Sequence, residues 1–154
     1  MSTTDLTDES FAPINPDEEF IRIIFNPEHV NEDGQIKPSA VPSQDLSESD
    51  RGYSIDRKLY VKKSYIEMNI EQYLKRSISR TLHGLALIKH EDILNIRDHA
   101  NQQALFVKPA PVPNNEAHAL ILCRNPYSPA IIKKLRNDLI EKFQVFQRLE
   151  DIFT

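Results

Sequence analysis

Ser128 followed by Pro129 is the feature that most narrows what this chain can fold into. A serine hydroxyl satisfies an orphan backbone N–H at a helix start, and proline is pre-set for the first helical position. Downstream, Ile131, Ile132, Leu135, Leu139, Phe143 and Phe146 trace one apolar face, with Lys133, Lys134, Arg136 and Asp138 on the other. A helix of that kind needs a partner surface. Just before it, His118-Ala119-Leu120-Ile121-Leu122-Cys123 is the clearest strand in the chain. The helix is expected to pack on the sheet containing that strand.

Other elements are shorter. Phe20-Ile21-Arg22-Ile23-Ile24-Phe25 reads as a strand stopped by Asn26-Pro27, and Tyr53-Ser54-Ile55-Asp56-Arg57 as another. Ser64 with Glu67 has the spacing of a capping box, opening a helix that runs to about Arg80 and is ended by Gly84. Leu85-Ala86-Leu87-Ile88 and Ala104-Leu105-Phe106-Val107 read as strands, with one helical turn at His90-Glu91-Asp92-Ile93-Leu94 between them. The sum is α+β: a mixed, mainly antiparallel sheet of four or five strands packed by two main helices. Residues 1–19 are acidic and aperiodic and read as a disordered tail, which leaves 20–154 as one domain. A long irregular loop is expected over 26–52, with room for a short strand near Ser39-Ala40-Val41.

The bulk numbers exclude several classes. Forty per cent hydrophobic and 27% charged is globular composition. No apolar run approaches the roughly 20 residues of a membrane span, so no membrane partner is expected. Met1-Ser2-Thr3-Thr4-Asp5 is not read as a secretory signal, and the single Cys123 forms no internal disulfide, which together point to the cytoplasm. Three glycines build no phosphate-cradling loop, one cysteine excludes a cysteine-rich zinc site, and no Gly-flanked nucleophilic serine is present. No metal and no cofactor are read from the sequence.

Charge is divided along the chain. The first fifty residues hold 12 acidic and 2 basic side chains and the remainder 11 and 17. An acidic arm on an ordinary domain and a basic body that binds an anion both fit that division. Arg22, in the middle of an apolar strand, either points outward, pairs with an acid, or meets a ligand phosphate or carboxylate. His118, at a strand mouth beside an acid, is a candidate general base or a hydrogen-bonded structural histidine. Arg57, Lys58, Lys62 and Lys63, interleaved with Tyr53, Tyr60 and Tyr65 and extended by Arg80, form the densest basic-aromatic stretch. It is either a nucleic-acid or anion contact or a solvated edge.

The chain resembles a group of small uncharacterised bacterial proteins. The resemblance rests on Arg22 with Asn26-Pro27-Glu28-His29-Val30, on Gly34, and on Lys37-Pro38-Ser39-Ala40. It continues in Tyr53-Ser54-Ile55-Asp56-Arg57, in the stretch from Pro111-Val112-Pro113 through Asn114-Asn115-Glu116 to His118-Ala119-Leu120, and in the lysine-rich final helix. It covers roughly residues 20–143 and implies that Arg22, Ser39, Ser54 and His118 are the positions of interest. A fainter likeness is to RES-type toxins and other ADP-ribosyltransferase-like domains. That likeness implies Arg22 on a cofactor's phosphates, Ser54 on the serine position and Glu116 as the candidate late glutamate.

Three functions are expected from this reading. The first is a non-enzymatic accessory or protein-interaction component of a bacterial toxin–antitoxin or phage-defence type module, with a protein partner. The second is an NAD-using or nucleic-acid-processing enzyme, with Arg22, Ser54 and His118 in one pocket. The third is an RNA- or DNA-binding module working through residues 57–80.

Overall fold

The computed structural model describes residues 13–48 and 51–153. Six strands form one open sheet: β1 (Glu19–Asn26), β2 (Tyr53–Arg57), β3 (Thr81–Lys89), β4 (Leu105–Pro109), β5 (His118–Cys123) and β6 (Gln144–Phe146). Their order is β4-β5-β2-β1-β3-β6, and every neighbouring pair is antiparallel. Four helices accompany them: α1 (Ser43–Ser47), α2 (Lys63–Lys75), α3 (His90–Leu94) and α4 (Pro129–Lys142). The α+β class stands, with six strands where four or five were expected and no parallel pair among the described residues. Among the same residues, no helix is long and apolar enough to cross a membrane.

Strand alternation divides the side chains between two unequal faces. Tyr53 and Ile55 of β2 and Ala119 and Ile121 of β5 are buried and share one core cluster. Leu46 of α1, Ile93 of α3 and Ile132, Leu135 and Leu139 of α4 close over them. On the other face Ile21, Leu85 and Leu87 pack against Ile66 of α2, with Ile152 beside them. The cover differs in depth, because α4 buries three side chains fully and α2 only Ile66. The Ser128 hydroxyl caps α4 by accepting the Ile131 N–H at 3.4 Å, as the Ser-Pro signal implies.

Several local expectations are corrected. Helix α2 begins at Lys63 behind Lys62 with no side-chain cap, so the Ser64–Glu67 box is not used, and it stops at Lys75, short of Arg80. Gly84 does not end that helix but lies inside β3. A Cβ there would stand 2.5 Å from the Phe146 carbonyl oxygen, so glycine is what admits β6 against β3. Helix α4 ends at Lys142, with Phe143 as its C-cap and Phe146 on β6 instead of the helix face. Ser39-Ala40-Val41 is not a strand; Pro38–Ala40 is a 3₁₀ turn, followed by α1. The 26–52 connection is therefore partly ordered, with Ser49 and Asp50 outside the described residues.

The acidic tail is corrected in part. Residues 1–12 lie outside the described residues, while 13–19 are tied to the domain. Ile14 packs on the main core, and the Pro16 and Glu18 carbonyls accept the Glu91 and His90 amides at 2.9 and 2.8 Å. Glu18 is the reason the segment is held. Its carboxylate accepts Arg57 Nε at 2.6 Å and Nη2 at 2.9 Å, with both side chains 1% exposed. A buried charge persists only when paired and hydrogen-bonded, and this bidentate contact does both.

Candidate functional site

β1 and β2 pair only at Phe20↔Arg57 and Ile21↔Asp56, whereas β1 pairs with β3 along its whole length. Beyond Ile21 the first two strands part, and Arg22 bridges the opening. Its Nη1 donates to the Ser54 carbonyl at 2.9 Å, taking the place of a backbone amide from β1. The guanidinium also lies 4.8 Å from the centre of the buried Tyr53 ring. Among the described residues no carboxylate pairs with it.

The parting opens a cleft of about 460 Å³ between β1, β2 and α2. Arg22, Ser54 and His118 all line it, so three residues that the sequence separates by up to 96 positions share one concavity. Residues 118 and 56 are paired across β5 and β2, and Ser54 is two residues from Asp56, so the pleat turns all three side chains to the same face. From α2, Tyr65, Asn69 and Tyr73 recur every four residues and form the opposite wall.

The hydrogen bonds fix a tautomer. His118 Nδ1 lies 2.8 Å from the Ala110 carbonyl oxygen, which can only accept, so Nδ1 carries the hydrogen. In the neutral ring Nε2 is then bare, and it accepts the Ser54 hydroxyl at 3.2 Å. Beside them the Asp56 carboxylate accepts Asn115 Nδ2 at 2.7 Å. Burial raises the Asp56 carboxyl above its usual range, opposed by the Asn115 bond and by the charges of His118 and Arg22.

His29 closes the end of the cleft. Its Nδ1 accepts the Phe25 amide at 2.9 Å, which holds the ring neutral on that nitrogen. Burial, then the Arg22 charge, lower its pKa from the usual imidazole value. A hydroxyl against a bare imidazole nitrogen, next to a guanidinium with N–H groups to spare, is equipped for proton transfer beside an anion. By contrast Cys123 sits on β5 with its thiol pushed up to about 11 by burial, which keeps it protonated at neutral pH.

The basic stretch does not form one surface. Arg57 is 1% exposed and bound to Glu18, so it is corrected from a nucleic-acid contact to a buried structural cation. Lys58 faces Glu19 at 3.4 Å and Lys63 faces Glu150 at 3.6 Å. Arg80 pairs with Glu28 and donates to the Tyr73 carbonyl at 2.8 Å. Lys62 and Glu116 line a second cleft, and Ser39 lies in the 3₁₀ turn outside both.

Asp56, Asn69, Asn115 and His29 were not singled out for the site from sequence. Signals pointed to two of them: Asp56 stands two residues after Ser54 on one strand, and Asn69 shares a four-residue spacing with Tyr65 and Tyr73. Among the described residues, no group of three or more His, Cys, Asp or Glu is placed to hold a metal ion. No family model matches the chain, and neither a curated protein nor a solved structure matches it.

Proposed function

We propose that the chain is a group-transfer enzyme acting on a small ligand that carries an anionic group, with its site in the β1–β2–α2 cleft. The observation that carries this is the placement of the Ser54–His118 hydrogen bond in the same cleft as an Arg22 guanidinium that, among the described residues, is bonded to no carboxylate. His118 Nε2 accepts the Ser54 proton as Oγ attacks the transferred group. The departing group takes that proton from His118 as its bond breaks; an acceptor hydroxyl or water, deprotonated by the same Nε2, then displaces the group from Ser54 Oγ, which recovers its proton from His118. Ala110 and Asp56 stabilise the imidazolium between these events, and the spare N–H groups of Arg22 hold the anion. The cleft volume falls in the range of small-ligand sites.

The test is covalent capture. A fluorophosphonate probe is expected to label Ser54 in the wild type, as mapped by mass spectrometry, and His118→Ala is expected to slow labelling by about 100-fold or more. An unlabelled Ser54 at saturating probe, or an unchanged rate in His118→Ala with the melting temperature retained, overturns the reading.

A further inference from the structure

A second cleft, of about 700 Å³, adjoins the first, and Tyr65 and Asn115 line both. We propose that the two form one site for a nucleotide, with its phosphate at Arg22 and its planar base in the second cleft. This rests on the reading of the first cleft as a site for an anionic ligand.

The chemistry of the two halves differs in the way such a ligand requires. The second cleft is walled by Tyr60, Tyr65, Met68 and Pro113, which offer flat or polarizable apolar surface for a heterocycle. Ser64 and Asn114 add donors and acceptors to the lining for the edge of a base. Tyr60 is held in advance of any ligand, because the Arg57 guanidinium lies 4.6 Å from its ring centre and Glu18 fixes Arg57 in turn. The buried ion pair thus acts as a positioning device for the stacking wall, and an already ordered wall costs less to bind against.

Charge completes the case. Lys58 and Lys63 each face a carboxylate, while Lys62, in the lining of the second cleft, has no ion-pair partner among the described residues. Lys62 in one cleft and Arg22 in the other supply positive charge for an anionic ligand, and the carboxylates that line the same clefts, Glu116 and Asp56, offset part of it. A sugar placed between Tyr65 and Asn115 joins the two halves.

The full chain is titrated calorimetrically with AMP, GMP, CMP and UMP, with ribose 5-phosphate and inorganic phosphate beside them, and amide resonances are followed by NMR. At least one nucleotide is expected to bind roughly 10-fold or more tightly than ribose 5-phosphate, the increment of one stacked base. Its resonance shifts are expected at both Arg22 and Met68. Met68 is 46% exposed, so Met68→Asp leaves the fold intact and is expected to remove the base increment while keeping ribose 5-phosphate affinity. Arg22→Gln is expected to reduce the nucleotide to the affinity of its nucleoside. Ribose 5-phosphate binding that depends on Arg22, with no base increment, overturns the two-cleft site and leaves the first reading standing. Failure of every phosphate-bearing probe, together with an unlabelled Ser54, overturns both.

Discussion

The two faces of the sheet are made from the same strands and differ in what covers them. Residues 53, 55, 119 and 121 turn to the face closed by α1, α3 and α4, and each is at most 2% exposed. Residues 54, 56 and 118 alternate with them and turn to the face where α2 buries one side chain and a cleft remains. The closed face is apolar but for Arg57, which is paired with Glu18. The open one gathers a serine, an aspartate, a histidine and, through the parted strands, an arginine. An antiparallel sheet commonly turns polar residues to its more open face, so the distinctive feature here is the mutual geometry of the polar group, the Ser54–His118 bond beside Arg22.

That contrast gives graded expectations. The largest effect belongs to Arg57, which continues the 53, 55, 57 register of the closed side. Arg57→Ala leaves the Glu18 carboxylate buried without its cation, and a loss of about 3–5 kcal/mol is expected in urea unfolding. Ile121→Ala, on the same face, is expected to cost about 3 kcal/mol by the cavity it leaves. If either loss is under about 1 kcal/mol, the closed face is not where the fold is held.

The cleft face is expected to answer in the opposite sense. Ser54→Ala removes one side-chain hydrogen bond and His118→Ala removes two, those to Ser54 and to the Ala110 carbonyl, with expected losses of about 1 and about 2 kcal/mol in the same urea titration. Probe capture at residue 54 should nevertheless vanish in Ser54→Ala. Should these two variants unfold the chain as Ile121→Ala does, both faces are structural and the contrast fails.

The smallest effects are in pH. Because the folded Asp56 carboxyl sits above its ordinary value, folded protein holds more protons than unfolded chain in the window between the two. Stability due to this group therefore falls as pH rises through that window. Asp56→Asn should flatten the fall in a plot of urea midpoint against pH. His29 has the other sign, since its folded value is depressed below about 6.5. Its contribution is present above that pH and is lost as pH drops toward the depressed value, and His29→Gln should blunt the loss. A curve unchanged by both variants would mean that neither group meets the environment described.

What the sequence disclosed follows from locality. The strand at 118–123 and the Ser128-Pro129 start were readable because their signals are contiguous. β6 was hidden, since Phe143 and Phe146 satisfy a helical spacing while the second lies on a three-residue strand. Glu18 was hidden more deeply. An acid in an acidic stretch reads as solvated, and its partner lies 39 residues away. Arg22 and His118 stood out by chemistry alone. Their meeting with Asp56, Asn69 and Asn115 depends on where β1 leaves β2 and where α2 lies, and neither is written in any local pattern.

Helix α2 holds one last consequence. Its single fully buried side chain, Ile66, lies near its beginning, and its far end rests on the Tyr73 ring stacked 5.2 Å from Phe25. Thirteen residues extend about 20 Å, and beyond Ile66 the helix is held by half-buried side chains, Tyr65 and Ile70 on the core and Tyr73 on Phe25. Detaching it exposes far less oil-like surface than detaching α4, and such segments open without the rest of the molecule. Deuterium should therefore enter the α2 amides, on the wall bearing Tyr65 and Asn69, well before those of α4.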